Sequence, residues 1–305
     1  VNENTRKKVL EIVKKYNFNP NTLASGLKSN RTYLIAVVVA DITNSFFMDI
    51  GKGIENAIGN QKYSLVFADT HGDEKKELEV VKKLINRKID GIVLASVSEK
   101  EDVLKECRKK NVPVVQVDRQ IDDEDTNAVL WEDFRLAYTL AEHVIEKGHT
   151  NVAIENTRLG CSTGQHRLQG YLEAFRSQGI RIDEENISAS NFEMQDAYEH
   201  VKSLLEKPKC PTCIICSNNI MVKGSLKAIQ EKGLSIPEDI SICCFGNIET
   251  NEYSLTDITN IQQDTRLMGR KAGELLLSQI NEENHCSVKI KLSGKMIERS
   301  SVRQI

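Results

Sequence analysis

From Leu34 onward, two rhythms alternate along the chain. Short, nearly continuous Val/Ile/Leu runs at Leu34–Ala40, Ser64–Ala68, Gly91–Ala95 and Val114–Asp118 predict strands buried on both faces. Between them, apolar residues recur at helical spacing over Phe47–Asn60, Glu74–Arg87 and Glu99–Lys110. The rhythm then repeats. A helix at Arg135–Lys147 leads to strands near Asn151–Glu155, Thr212–Ser217 and Ile240–Phe245, with helices Gly164–Gln178, Asp196–Glu206 and Ile220–Lys232 between them. A helix at Thr265–Gln279 and a strand near Ser287–Leu292 close the chain. Alternation of this kind predicts parallel sheets covered by helices, here two doubly wound units in an α/β protein.

The first thirty-odd residues follow another pattern. Asn2 can cap a helix that carries Val9, Ile12, Val13 and Tyr16 on one face. Asn19-Pro20 then restarts a short helix, with Asn19 as cap and Pro20 at its first position. That second helix contains Gly26 and runs for about ten residues, too few to stand alone in water. It needs a partner to hold it. Charge points the same way. Residues 1–32 carry seven basic and two acidic side chains, a net of +5, which leaves −8 on the rest of a chain whose total is −3. An anionic partner is expected at the head end only.

Candidate chemistry is sparse. Eight cysteines without an export signal predict reduced cytosolic thiols rather than a disulfide framework. Cys210 and Cys213 form a single C-x-x-C, and the six histidines lack metal-ligand spacing, so no metal is expected. Gly51-Lys52-Gly53 falls inside a helix, where the glycines allow close helix–sheet packing rather than phosphate binding. No phosphate loop, nucleophile elbow or nucleotide fingerprint is present, which argues against an enzyme and against a cofactor. No apolar stretch approaches the roughly 20 residues that span a bilayer. Polar residues instead gather where the strands end: Asp41, Asn44, Asp69, Thr70, Ser96, Asp118 and Arg119 in the first unit, Asn218, Asn219, Gly246 and Asn247 in the second. Open α/β sheets bind ligands there, so a cleft for a hydroxylated molecule is expected.

An ordered set of motifs then resembles a known family. Val1–Arg6, Asn17-Phe18-Asn19-Pro20-Asn21, Asp41-Ile42-Thr43-Asn44-Ser45-Phe46-Phe47, Asp90-Gly91-Ile92-Val93 and Val112-Pro113-Val114-Val115 with Asp118-Arg119 look like LacI/GalR transcriptional regulators. So do Gly148-His149, Arg167-Leu168-Gln169-Gly170-Tyr171, Pro237-Glu238-Asp239-Ile240-Ser241-Ile242, Gln263-Asp264 and Glu298-Arg299-Ser300-Ser301. The resemblance runs over essentially the whole chain.

The resemblance implies two periplasmic-binding-protein-like type I lobes behind an N-terminal helical hinge. Residues 1–18 would be a remnant of a helix-turn-helix domain and 19–32 the hinge helix. Residues 33–131 with 264–291 would form the N-terminal lobe, and 132–263 with 292–305 the C-terminal lobe. It also implies a cytoplasmic homodimer on operator DNA. Leu27 would wedge into the minor groove, Leu23, one turn earlier, would face the partner hinge, Ala24 would belong to the same DNA-binding set, and Lys28 and Arg31 would meet phosphates. Phe47, Asp69, Ser96, Asp118, Trp131, Arg167, Asn219, Asn247 and Gln263 are the expected effector contacts. Two departures matter: Asn218-Asn219 and Gly246-Asn247 stand where many relatives carry an aspartate. Losing two acids while keeping Arg167 predicts a pocket biased toward positive charge, suited to a sugar acid or sugar phosphate. The alternative is a solute-binding protein for a carbohydrate, which would share the two lobes without a basic head.

Overall fold

Two six-stranded sheets divide the protein between them. It is described by a computed structural model over residues 2–15, 31–59, 61–123, 125–190, 193–248, 257–281 and 287–305. The expected hinge helix, with Leu23, Ala24, Leu27 and Lys28, lies outside the described residues. Ahead of it runs α1 (Glu3–Lys15), whose Val9 and Ile12 are exposed.

The first sheet is built from β1 (Leu34–Val39), β2 (Ser64–Asp69), β3 (Gly91–Leu94), β4 (Val114–Val117) and β5 (Asn127–Trp131). Helices α2 (Ser45–Ile58), α3 (Glu74–Asn86) and α4 (Asp102–Lys109) connect its strands. The second sheet contains β6 (Val152–Thr157), β7 (Ile187–Ser190), β8 (Cys213–Cys216), β9 (Ser241–Phe245) and β10 (Thr259–Gln262). Around it lie α5 (Asp133–Glu146), α6 (Ser162–Ser177), α7 (Met194–Leu205) and α8 (Asn219–Glu231). After β10 the chain returns to the first sheet with α9 (Thr265–Asn281) and β11 (Lys289–Leu292), then ends beside the second with β12 (Lys295–Ile297). The strand orders are β11-β5-β4-β3-β1-β2 and β12-β10-β9-β8-β6-β7, parallel throughout except for the β10–β12 pair. In each sheet the order reverses beside the first strand, at β1/β3 and at β6/β8. Connections leave in opposite directions there and open a crevice.

Among the described residues, the helices and the long apolar strands stand within a few residues of where their periodicity placed them. The short strands β5, β7, β10 and β12 were not expected. Two of them are rich in polar or small residues (Ile187-Ser188-Ala189-Ser190 and Thr259-Asn260-Ile261-Gln262), which a hydrophobic pattern does not reveal, and β12 (Lys295-Met296-Ile297) is only three residues long. β5 is fully buried but only five residues long.

α2 and α9 cross in backbone contact. A Cβ at Gly269 would lie 1.9 Å from the Ile50 carbonyl oxygen, and one at Gly53 2.2 Å from that of Arg266. Gly51 does face the sheet, with the Phe67 ring where its Cβ would stand, but Gly53 serves helix–helix rather than helix–sheet packing. This contact seats α9, and with it the returning chain, firmly on the first lobe.

Candidate functional site

The carboxyl ends of the two sheets face each other across a crevice. From the first lobe come the residues after β1 and β4: Asp41, Asn44, Phe46, Phe47, Asp118 and Arg119. From the second come Thr163 and Arg167 on α6, Asn218 and Asn219 at the start of α8, Gly246 and Asn247 after β9, and Gln263 after β10.

Arg167 is the centre of the site. Its Nε donates to Asp133 Oδ1 at 2.7 Å and its Nη1 to the Ser217 carbonyl at 2.8 Å. Its Nη2 lies 3.6 Å from Asp118 Oδ1, so it reaches from the second lobe to the first. The guanidinium also sits 4.0 Å above the Phe245 ring. Arg119 adds a second cation, with Nε 3.8 Å from Asp118 Oδ2 and its guanidinium facing Phe47. All four charged side chains are buried. Burial works to lower Arg167's pKa, but Asp133 and Asp118 outweigh it and hold the guanidinium above its ordinary range. Burial pushes Asp133 up to about 6 against the pull of Arg167, and raises Asp118 against Arg167 and Arg119.

This overturns the expectation of a positively biased pocket. Two arginines meet two aspartates. Asp133, at the crossover between the lobes, is the acid that the charge count along the strand ends left out.

The asparagines divide the structural work. Asn218 caps α8, its Oδ1 accepting from Ile220 and Met221 N–H at 2.9 and 2.8 Å. Asn219 is thereby left to span the crevice, donating to Asn44 Oδ1 at 3.0 Å, while that same oxygen caps α2 through Phe46 N–H. Asn247 and the Gln263 backbone bond reciprocally at 2.7 and 2.9 Å, which fixes the Gln263 side chain in the crevice. Gly246 holds φ +110°, and a Cβ there would come within 3.2 Å of Gln263 Oε1.

Of the nine expected effector contacts, Phe47, Asp118, Arg167, Asn219, Asn247 and Gln263 line the crevice. Three do not. Asp69 accepts hydrogen bonds from His71 N–H, His71 Nδ1 and Ile42 N–H; these outweigh the burial that would raise it and hold its carboxyl below the usual range. Ser96 is buried against Glu77 Oε1 at 2.7 Å, where it shapes the loop after β3. Trp131 is buried at the end of β5 and lines an adjoining cavity, with Gln120, Phe134, His166 and Lys291, that meets the crevice at Asp118. Thr163 was missed because it sits on a helix start with no motif of its own. Arg31, expected on phosphate, donates to the Ile280 carbonyl at 2.9 Å and to Asn281 Oδ1 at 3.2 Å, closing the end of α9.

None of the cysteines among the described residues lines the crevice. Cys213 is buried at the start of β8 while Cys210 is exposed, and among the described residues no group of His, Cys, Asp or Glu could hold a metal ion. No helix among them is long and apolar enough to cross a membrane.

Residues 32–299 match the family model described as periplasmic binding proteins and sugar binding domain of LacI family. The chain belongs to the LacI family. Among curated relatives, the HTH-type transcriptional repressor PurR of Vibrio atlanticus (strain LGP32) is 31% identical over 307 residues, covering 100% of this chain and 92% of the relative. PurR of Aliivibrio fischeri (strain MJ11) is also 31% identical, covering 99% of this chain and 90% of its own length. Among solved structures, a LacI family transcriptional regulator from Enterococcus faecium with bound ribose superposes with a TM-score of 0.80 at 25% identity, over 89% of this chain and 99% of that one. CcpA of Lactococcus lactis shares the fold, with a TM-score of 0.80 at 24% identity over 88% and 99%. These named relatives are transcriptional regulators, not enzymes, and the two doubly wound lobes are those of the family.

Proposed function

We propose that the protein is a transcriptional repressor whose grip on operator DNA is set by a small, neutral, hydroxyl-rich effector, a carbohydrate, bound in the crevice. The observation that carries this reading is Arg167, held between Asp133 and Asp118 so that its charge is already matched where the lobes meet. A ligand entering there gains little from a net charge of its own. Hydroxyl groups suit what remains. Among the described residues, Asp118 Oδ1 accepts no hydrogen bond and Gln263 Nε2 donates none. A hydroxyl can donate to the first and accept from the second. Phe46 and Phe47, packed edge to face at 5.3 Å, supply an apolar wall for a sugar ring.

Effector binding changes the spacing of the lobes, and the head at residues 1–32 transmits it, with Leu23, Ala24, Leu27 and Lys28 at the DNA in a cytoplasmic homodimer. Arg31 serves in this scheme as the anchor that fastens the head to α9. Coupling of this type is typically about 1–3 kcal/mol, enough for roughly 5- to 150-fold in DNA affinity.

Isothermal titration calorimetry tests the reading with ribose and cellobiose, which name the ligands of solved relatives, alongside the corresponding sugar acids and phosphates. Binding of a neutral sugar that is lost in Asp118→Asn supports it. Tight binding of acids alone would restore the anionic effector and reject the charge-matched crevice.

A further inference from the structure

The amino-terminal edge of the first sheet, on the side away from the crevice, carries a set of cations that the crevice does not use. The chain enters β1 at this edge through Arg31 and Thr32. Thr32 Oγ1 donates to the Lys88 carbonyl at 2.7 Å, so Lys88 stands directly beside the point where the basic head joins the lobe. Arg31, Lys88 and Lys110 line one open groove with Asp90. Lys62, at the start of β2, lies over the Tyr33 ring at 5.8 Å on the same edge. Lys62, Lys88 and Lys110 are exposed, and none of the three is ion-paired with a carboxylate among the described residues. The one acid in the groove is already engaged: Asp90 accepts from Thr32 N–H, Thr32 Oγ1 and Tyr33 N–H. Before β5 the chain is acidic at Asp122, Asp123 and Asp125, of which Asp123 pairs with Arg108.

Lysines near helix ends are often no more than complements to the helix dipole. Lys62 precedes a strand, however, and the cations cluster on one side of an edge in a chain whose residues beyond 32 carry a net −8. A cationic cluster on an acidic body, contiguous with a basic head, fits a polyanion that follows the head onto the lobe.

We infer that Lys62, Lys88 and Lys110 form a second contact surface for the phosphates of duplex DNA, continuing the footprint of the head onto the base of the first lobe. This rests on the DNA-binding reading above and adds a place and a count to it. Each lysine that meets a phosphate displaces a condensed counterion and steepens the salt dependence of binding.

The test is anisotropy of a labelled mixed-sequence duplex titrated with the 1–305 chain at several salt concentrations. Two variants of equal charge change are compared: Lys62→Gln/Lys88→Gln/Lys110→Gln at this edge, and Lys209→Gln/Lys223→Gln/Lys232→Gln on the second lobe. The expected result is a slope of log K against log salt that is shallower by about 2 to 3 for each protomer engaged, or about 5 for a dimer, in the first variant and unchanged in the second, since each phosphate contact is worth about 0.9. Equal loss in both variants, or no change in either, overturns the surface while leaving DNA binding by the head intact. A wild-type chain that binds no duplex at any salt overturns the surface, since lysines that meet phosphates must give at least salt-sensitive non-specific binding, while sequence-specific operator binding is judged separately by gel shift. Unchanged thermal midpoints establish that both variants are folded.

Discussion

Asn219 donates its side-chain amide to Asn44 Oδ1 at 3.0 Å, and that bond joins the first turn of a helix in one lobe to the N-cap of a helix in the other. Around the crevice, Gln120 N–H bonds Ser162 Oγ at 3.0 Å and Arg158 reaches the Val97 carbonyl, both between lobes. A neutral hydrogen bond of this kind contributes only about 1 kcal/mol net. The lobes are therefore biased together rather than locked, and a ligand presenting its own donors and acceptors can replace the bond and reset the spacing.

Adjacent asparagines should then behave differently on truncation. Asn218→Ala removes the cap of α8 and is expected to destabilise the protein by about 1 kcal/mol. Asn219→Ala leaves that cap in place and removes only the bond across the crevice, a loss that alanine's higher helix propensity partly offsets, so it should destabilise less than Asn218→Ala and should change effector affinity instead. Urea unfolding and calorimetry on both variants check this. Equal destabilisation would mean that the bond across the crevice is structural.

Much of this arrangement was legible in the sequence. Strand ends in a doubly wound sheet must converge, so Asp118, Asn219, Asn247 and Gln263 could be placed at the crevice from the strand pattern and the family motifs alone. Side-chain direction could not. Asp69 and Ser96 also follow strands, yet local turns and buried Glu77 claim their polar atoms. Trp131 ends a strand that was too short to recognise, and it turns into the adjoining cavity. The charge of the pocket was misread for a related reason. Asp133 opens α5 rather than ending a strand, and only the fold brings it within 2.7 Å of Arg167.

Asp133 gives a pH signature. Burial lifts its carboxyl from 3.8 to about 6 in the folded protein. The folded state therefore binds more protons than the unfolded state between these values, and stability falls as pH rises through that window. The slope from this group is at most about 1.4 kcal/mol per pH unit. Asp133→Asn keeps a hydrogen-bond acceptor for Arg167 and should remove that slope. Urea midpoints of wild type and variant at pH 4.5, 5.5 and 7 decide the matter, and parallel profiles would assign the titration elsewhere.

His200 carries the opposite kind of group. Burial lowers its pKa, but its hydrogen bond to buried Glu155 at 2.6 Å and the charge of that carboxylate prevail and raise it above 6.5. Its stabilising contribution is full below the unfolded value near 6.5 and is lost as pH rises through the higher folded value. His200→Gln should flatten stability across that upper window. Observed by NMR, the His200 ring should titrate above 6.5, and titration below that value would break the assigned pairing.

Gly246 stands where the resemblance led to the expectation of an aspartate, and the backbone there does not readily take one. Its φ of +110° is a conformation that L side chains rarely adopt, and an added Cβ would press within 3.2 Å of Gln263 Oε1. Gly246→Ala and Gly246→Asp are both expected to cost about 1–3 kcal/mol from the backbone alone. The aspartate variant also places a carboxylate in the crevice shared with Asp118, so it should not gain affinity for a neutral sugar. Thermal unfolding and calorimetry separate the two effects. Similar losses in both variants put the cost in the backbone. An aspartate variant as stable as wild type, with tighter sugar binding, would show that the loop relaxes freely and that Gly246 reflects the choice of ligand rather than the path of the chain.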